Sequence, residues 1–212
     1  MRARFKRWAE PYLLAHPEIV LTKVSPTDPF FLTLDLYLEI GAGKGDFVLS
    51  LASRRPEAHY LAVERDLSIS GILGKKVVDS SLPNIRILQG DFDALAEELA
   101  PLSFAGIYLN FSDPWPKKKH GKRRLTTRAR LAVMAALLAP EGRLYIKTDN
   151  DNLYAFTQEE ALHSPLALLL AMPDYVYDEK DDAMSEYERN FRSEGKPIHR
   201  LVYGLKKNGE AK

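Results

Sequence analysis

Residues 36–45, Leu-Tyr-Leu-Glu-Ile-Gly-Ala-Gly-Lys-Gly, join a short apolar run to a glycine-rich turn. The run from Leu36 to Ile40 has the length and apolar character of a buried strand. Residues 46–54 follow with the apolar spacing of a helix. A strand, a glycine turn and a helix in this order predict the first βα unit of a parallel sheet, with a ligand site above the turn.

The same alternation of short apolar runs and helical patterns continues through residue 147. Further strands are predicted at 59–64, 85–89, 105–111 and 143–147, and further helices at 68–80, 93–100 and 126–139. This order is typical of an α/β fold whose mostly parallel sheet carries helices on both faces.

The tail of the chain has a different pattern. It predicts a helix at 152–163, extended segments at 166–176 and 199–206, and a charged loop at 178–197 between them. We expect the C-terminal segment to form an antiparallel edge strand, which would complete a seven-stranded sheet. Residues 1–212 are expected to form a single domain with residues 1–30 as an N-terminal arm.

Composition excludes several kinds of chemistry. The 212 residues include no cysteine, so disulfides, thiolate zinc sites and cysteine nucleophiles are excluded. The five histidines show no metal-ligand spacing, and we predict no metal. The basic N-terminus lacks the apolar segment of a secretory signal, and the longest apolar run, 166–172, is too short to span a bilayer. We therefore expect a cytoplasmic protein without a membrane contact.

Acidic residues stand at the ends of the first three predicted strands. Glu39 precedes the first glycine and can bind the ammonium of a methionine moiety, a group that a dinucleotide lacks. Glu64 closes the second strand, where a carboxylate can accept hydrogen bonds from two ribose hydroxyls. Asp91 closes the third strand, beside the expected adenine, although Asp91 or Asp93 can equally cap the next helix. The acids and the glycines Gly41, Gly43 and Gly45 thus favour a nucleoside cofactor that carries methionine.

The fourth strand ends in Asn110-Phe111-Ser112-Asp113-Pro114-Trp115-Pro116. The prolines predict a stiff, extended turn at the carboxyl edge of the sheet, facing the cofactor cleft. A carboxylate can accept the adjacent N–H groups of a guanine Watson–Crick edge, while N7 on the other edge carries a free lone pair. Asp113 can therefore position the base and stabilise the charge that methylation creates, without acting as a general base. The structural alternatives are a self-capping turn for Asp113 and a core lid for Trp115.

A cationic segment follows directly. Residues 117–130 contain eight Lys or Arg residues and no acid, although the net charge of the chain is only +1. Basic side chains beside a cofactor cleft favour a polynucleotide substrate, and a solvated surface is the alternative. We predict RNA contacts from Lys118, Lys119, Lys122, Arg123 and Arg124.

Two later polar motifs are candidates for either structure or substrate binding. Asp149 and Asn150 end the fifth strand at the ligand edge, but either can cap the following helix. Ser185-Glu186-Tyr187-Glu188 has the spacing of a capping box, which sequence physics alone favours. The acidic run 178–182 is predicted to be a solvated loop.

Together, these motifs resemble the bacterial tRNA (guanine-N7-)-methyltransferase family. The resemblance covers about residues 30–206 and rests on residues 38–45, 110–118, 122–125, 147–150 and 185–188, with Gly195. It implies a class I, Rossmann-like fold, S-adenosylmethionine as cofactor, a tRNA substrate, and a monomer or homodimer. It implies Asp113 as the catalytic residue, in contact with the cofactor site together with Glu39, Glu64 and Asp91. It implies substrate contacts from Lys117, Asp149, Ser185, Glu186, Tyr187 and Glu188, in preference to a capping box.

The chain departs from this family at two positions. Ser185 stands where the family usually has threonine, and it keeps the hydroxyl. Gly121 stands where a bulky or basic residue is usual, at the tip of the cationic segment. The competing functions are a nicotinamide-dependent oxidoreductase, a non-catalytic RNA-binding protein, and a methyltransferase for another base or a protein. The intact acids and the Asp-Pro-Trp turn speak against the first two.

Overall fold

The computed structural model describes residues 5–180 and 182–207, and these residues form one eight-stranded sheet with helices on both faces. The strands are β1 (Val20–Leu21), β2 (Leu36–Ile40), β3 (His59–Glu64), β4 (Ile85–Gln89), β5 (Phe104–Asn110), β6 (Leu138–Thr148), β7 (Leu166–Met172) and β8 (His199–Leu205). The helices are α1 (Ala9–Leu14), α2 (Asp46–Arg54), α3 (Leu67–Ser80), α4 (Phe92–Leu99), α5 (Arg128–Leu137), α6 (Asp151–Leu162) and α7 (Glu186–Ser193). Short 3-10 helices cover Pro29–Phe31 and Lys118–Arg123.

The strand order is β1-β4-β3-β2-β5-β6-β8-β7. The pairs among β1 to β6 are parallel, and β8 is antiparallel to both β6 and β7. This confirms the predicted α/β fold. The expected count of seven strands rises to eight because Val20 and Leu21 pair with β4. The C-terminal strand β8 is antiparallel as predicted, but its predicted edge position is wrong. It lies between β6 and β7, and β7 forms the sheet edge.

The chain reverses its direction of travel across the sheet between β2 and β5. From β2 it moves outward to β3 and β4, and it then returns to β5 on the other side of β2. The loops that leave β2 and β5 therefore diverge and open a crevice at the carboxyl edge. This crevice places the glycine turn opposite the Asp-Pro-Trp turn.

Apolar layers cover both faces of the sheet. Leu38 and Ile107 are fully buried in one layer, and Phe47 and Leu73 lie in the other. Burial of each such side chain contributes about 1.5–3 kcal/mol, which fixes α2 and α3 against the strands that carry the glycine turn.

The described part of the predicted N-terminal arm packs on the rest of the chain. Ala9 of α1 is fully buried beside Gly71 of α3, β1 extends the sheet, and Phe30 and Phe31 enter the core. Arg2 and Arg4 lie outside the described residues.

Two predicted boundaries are wrong. Helix α5 ends at Leu137, and Pro140-Glu141-Gly142 lies within β6 because the strand begins early, where Leu138 pairs with Phe104. The predicted loop at 178–197 contains a helix, α7.

Candidate functional site

A cavity of about 790 Å³ opens at the carboxyl edge of the sheet. Every predicted cofactor residue lines it, and so do most of the predicted substrate residues; Lys117 and Glu188 do not. The structure thus brings together Glu39, Gly41, Gly43, Gly45, Glu64, Asp91, Asp113, Asp149, Ser185, Glu186 and Tyr187, with Arg123 at the wall.

The glycine turn has left-handed backbone conformations at Gly41, Gly43 and Gly45, with φ of +77°, +57° and +86°. A Cβ at Gly41 or Gly43 would meet no atom within 4 Å, whereas one at Gly45 would lie 2.3 Å from Leu73 Cδ1. The first two glycines therefore supply conformation beside open space, and the third also allows α3 to pack closely.

Glu64 supports this turn from β3. Its Oε2 accepts the Gly43 N–H at 2.9 Å, and its Oε1 accepts the Asp66 N–H at 2.8 Å. A carboxylate oxygen has two acceptor sites, so both oxygens retain capacity for hydroxyl donors from the cavity.

Asp91 caps a helix and also lies at the cavity. Its Oδ1 accepts the Asp93 N–H at 3.0 Å and caps α4, and Oδ2 lies 3.6 Å from Arg65 Nη1. The residue nevertheless lines the cavity, and its carboxylate stays half-exposed.

Glu39 is the buried acid of the site, with 4% of its surface exposed. Its Oε1 accepts a hydrogen bond from Asn110 Nδ2 at 3.1 Å, and Oε2 is buried without a partner. Burial raises the pKa of this carboxyl to about 8, although the Asn110 bond and the Lys147 charge oppose the shift. An unpartnered acceptor at a cavity wall fits a cationic ligand group, because a buried acceptor without a bond is costly.

The Asp-Pro-Trp turn is not extended throughout, so that part of the prediction is wrong. Phe111 and Trp115 have positive φ of +52° and +42°. Such angles are unfavourable for bulky residues and persist only where the surroundings impose them. Asp113 stands exposed at the cavity rim, and among the described residues its carboxylate has no hydrogen-bond partner.

The cationic segment divides into exposed and buried residues. Lys117, Lys119, Lys122 and Arg123 are exposed, and the Arg123 guanidinium lies 5.0 Å above the Trp115 ring. The side chain of Lys118 is outside the described set.

Two of the cationic residues hold the structure together. Arg130 Nε donates to Asp93 Oδ1 at 2.7 Å, and its Nη1 donates to the carbonyls of Lys122 and Arg124. Arg124 is only 8% exposed, so the predicted RNA contact from this residue conflicts with its burial.

The first turn of α7 forms the wall above the glycine turn. Ser185 Oγ accepts the Glu188 N–H at 3.1 Å, which is one half of the capping box. The Glu188 carboxylate does not complete the box, because it is fully buried and accepts hydrogen bonds from Lys147 at 2.6 Å and Arg192 at 2.8 Å. Glu186 pairs with Lys44 of the glycine turn at 2.8 Å.

The sequence analysis did not predict the buried salt-bridge network of Glu188, which includes Lys147, Asp182 and Arg192. Lys147 Nζ also donates to Asp182 Oδ2 at 3.0 Å, and Asp182 is 3% exposed, so the prediction of a solvated loop is wrong there. A lysine inside the predicted buried strand 143–147 was the available signal, because a buried ammonium requires a partner.

Asn150 and Asp149 have separate roles. Asn150 Oδ1 accepts the Leu153 N–H at 2.9 Å and caps α6. Asp149 lines the cavity. In the described part of the chain, no cluster of His, Cys, Asp or Glu could hold a metal, and no helix has the length and apolarity to cross a membrane.

The comparisons with known proteins agree with this geometry. A sequence profile described as "Putative methyltransferase" matches residues 34–201. A solved "antibiotic related Methyltransferase" superposes with a TM-score of 0.67 at 16% identity, over 87% of this chain and 96% of that one. The fold and the site therefore define a Rossmann-like class I methyltransferase.

Relatives that match nearly the whole chain identify the family within this class. A tRNA (guanine-N(7)-)-methyltransferase of Limosilactobacillus reuteri (strain DSM 20016) is 34% identical, over 97% of this chain and 100% of the relative. One from Staphylococcus aureus (strain MSSA476) is 38% identical, over 95% and 96%. The chain belongs to the tRNA (guanine-N(7)-)-methyltransferase family.

Proposed function

We propose that this protein transfers the methyl group of S-adenosylmethionine to N7 of a guanine in tRNA, forming 7-methylguanosine. The observation that carries the proposal is one cavity lined both by Glu39, with its unpartnered carboxylate oxygen, and by Asp113. The relatives named for this activity support the choice of substrate.

The acids of the cavity fit the cofactor. Glu39 Oε2 is free to bind the methionine ammonium, and the half-buried Glu64 carboxylate can accept the ribose hydroxyls. Asp91 lies at the end of β4, on the side expected for the adenine. When bound, S-adenosylmethionine supplies a sulfonium methyl group that the N7 lone pair can take without prior loss of a proton.

Asp113 acts on the guanine through position and charge. Its carboxylate is exposed at the rim, so it can accept the N–H groups of the Watson–Crick edge and aim N7 into the cavity. The purine becomes cationic on methylation, and a fixed carboxylate stabilises that charge more in the transition state than in the ground state. A general base is unnecessary.

The remaining substrate contacts surround the same opening. Asp149, Ser185, Glu186 and Tyr187 line the cavity near the base, while Lys117, Lys119, Lys122 and Arg123 are exposed on the segment after the Asp-Pro-Trp turn. We assign the first group to the guanine nucleotide and the second to phosphates. Since the proposed substrate is tRNA, we place the protein in the cytoplasm.

Incubation with tritiated S-adenosylmethionine and unmodified tRNA tests the function. We expect the label in 7-methylguanosine after digestion to nucleosides. Label in a different nucleoside, or in protein alone, would contradict the proposed acceptor.

The Asp113→Ala variant tests the assigned catalytic residue. It should bind the cofactor nearly as the parent does while kcat falls by about 10²–10³-fold, a typical cost of removing one charge-stabilising group. Asp113→Asn keeps the shape without the charge, so its kcat should lie between the two. Turnover of Asp113→Ala at the parent rate would remove Asp113 from the mechanism.

A further inference from the structure

Arg124 belongs to the cationic segment in sequence but points inward in the structure. It follows directly after the 3-10 helix Lys118–Arg123, and its backbone N–H donates to Gly121 O at 3.0 Å. The neighbouring Arg123 is exposed at the cavity wall, whereas Arg124 is 8% exposed. Adjacent arginines therefore face different environments.

The buried guanidinium binds the backbone of the Asp-Pro-Trp turn. Its Nε donates to Pro114 O at 2.8 Å, and Nη2 reaches Trp115 O at 3.4 Å. Its central carbon lies 4.4 Å above the Phe156 ring of α6. A planar guanidinium can bind two carbonyls and stack on an aromatic ring simultaneously, which a lysine cannot do.

The turn needs such support because its backbone is strained. Trp115 has φ of +42° and precedes a proline, and a residue in that position normally adopts an extended conformation. No side-chain partner holds the Asp113 carboxylate among the described residues, so the backbone of the turn sets where its Cα and Cβ lie and which region the carboxylate can reach. The conformation of the turn therefore depends on the contacts that Arg124 makes with it.

We infer that Arg124 is a positioning residue for Asp113 and Trp115, and that it does not bind RNA phosphate. It holds the strained turn through the Pro114 and Trp115 carbonyls, so that the carboxylate is already in place when the guanine enters. The inference deepens the proposed function and rests on it for the catalytic part. Fixed geometry of this kind affects turnover, while a phosphate contact affects affinity and its salt dependence.

Paired substitutions at 123 and 124 separate the two roles. Arg124→Met should lower kcat by about 10–100-fold, with the KM for tRNA and its salt dependence nearly unchanged. Arg123→Gln should raise the KM and reduce the slope of log affinity against log salt by about 1, with kcat retained. Arg124→Lys keeps the charge but reaches at most one carbonyl, so its kcat should lie between those of the parent and Arg124→Met. Arg128→Met, at an exposed position outside the assigned binding residues, should remain close to the parent.

Trp115 gives a readout that needs no activity. In a Trp8→Phe background it is the single tryptophan of the chain. Arg124→Met should increase quenching of its fluorescence by acrylamide, because the released turn exposes the ring, and Arg128→Met, at an exposed position of the same segment, should not. Unchanged quenching in Arg124→Met would overturn the positioning role even if the parent failed to methylate tRNA.

The kinetic outcomes distinguish the remaining possibilities. A raised KM and a flatter salt slope in Arg124→Met, with kcat preserved, would make Arg124 an RNA contact and overturn the inference. An Arg124→Lys variant with parental turnover would also overturn it. A parent that transfers no methyl group to tRNA would contradict the proposed function instead. Should Arg124→Met fail to fold, Arg124→Lys carries the same comparison.

Discussion

The carboxyl of Glu39 combines burial with an unsatisfied oxygen, and this makes its ionisation dependent on the ligand. Its pKa is raised to about 8 mainly because burial disfavours the charged form. A cationic ligand group beside Oε2 lowers this pKa, because it favours the ionised carboxylate. Binding of S-adenosylmethionine near neutral pH should therefore release a proton from Glu39.

The affinity for S-adenosylmethionine is expected to rise with pH below about 8 and to level off above it. The unliganded group holds a proton below its pKa of about 8, and the bound state favours ionised Glu39. Release of one proton gives at most about a tenfold gain in affinity for each pH unit. Calorimetric titration from pH 6 to 8, in buffers of different ionisation enthalpy, measures both the affinity and the protons released.

Glu39→Gln is the matched control for this measurement. It retains the hydrogen-bonding shape but cannot ionise, so any pH dependence that remains belongs to the ligand or to other groups. Proton release equal in Glu39→Gln and the parent would show that Glu39 does not ionise on binding.

At the scale of elements, salt bridges hold helix α7 against the sheet and the glycine turn. Glu188 is fully buried and binds both Lys147 and Arg192, while Asp182 provides a second carboxylate to Lys147. On its other side, Glu186 pairs with Lys44, and both side chains are 42% exposed. The first turn of α7 thus connects the end of β6 with the glycine turn.

The two lysines that hold α7 should differ sharply in their contribution to stability. Lys147→Met leaves two buried carboxylates without their main partner and should cost about 3–5 kcal/mol in the free energy of unfolding. Lys44→Met removes a half-exposed pair and should cost less than about 1 kcal/mol. Urea denaturation of both variants measures the difference. Equal losses would mean that the buried network does not anchor the helix.

Helix α7 also shows where sequence-based prediction fails. Its residues, Glu-Tyr-Glu-Arg-Asn-Phe-Arg-Ser, include only two large apolar side chains, so the charge of the segment predicts a loop although the capping-box spacing at 185–188 signals a helix start. The β2–α2 unit was predictable because its apolar run, glycine turn and helix are adjacent in sequence. The role of Arg124 was not, because its neighbours have the same charge, and only contacts with Pro114 and Phe156 distinguish it.

At the scale of the whole molecule, the charge distribution matters more than the total. The net charge is +1, so the protein as a whole has little attraction for a polyanion. Within the cationic segment, Arg130 is paired with Asp93 and Arg124 is buried, while Lys117, Lys119, Lys122, Arg123 and Arg128 are exposed. We therefore expect the attraction for tRNA to be concentrated on this segment, which follows the Asp-Pro-Trp turn at the cavity.

The N-terminal segment is the other feature of the whole molecule, because its helix α1 packs on α3 and its strand β1 pairs with β4. Helix α1 packs on α3 at Gly71, where an added Cβ would lie 2.5 Å from Ala9 Cβ and 2.9 Å from Ala9 Cα. At Gly74, an added Cβ would meet Leu13 Cδ2, the end of a flexible side chain, at 2.9 Å. The two glycines of α3 thus differ in the backbone movement that a methyl group would force.

Gly71→Ala should consequently destabilise the protein by about 1–3 kcal/mol, because the overpacking exceeds the gain of about 1 kcal/mol in helix propensity. Gly74→Ala offers the matched control, with a smaller loss or none, because the Leu13 side chain can rotate away. Urea denaturation measures the free energies, and limited proteolysis reports whether residues before β2 become more accessible. If the N-terminal segment contributes to stability through α1, Gly71→Ala should combine lower stability with faster cleavage in this segment. Equal stability of the two variants would mean that α1 shifts on α3 without cost and is only loosely docked.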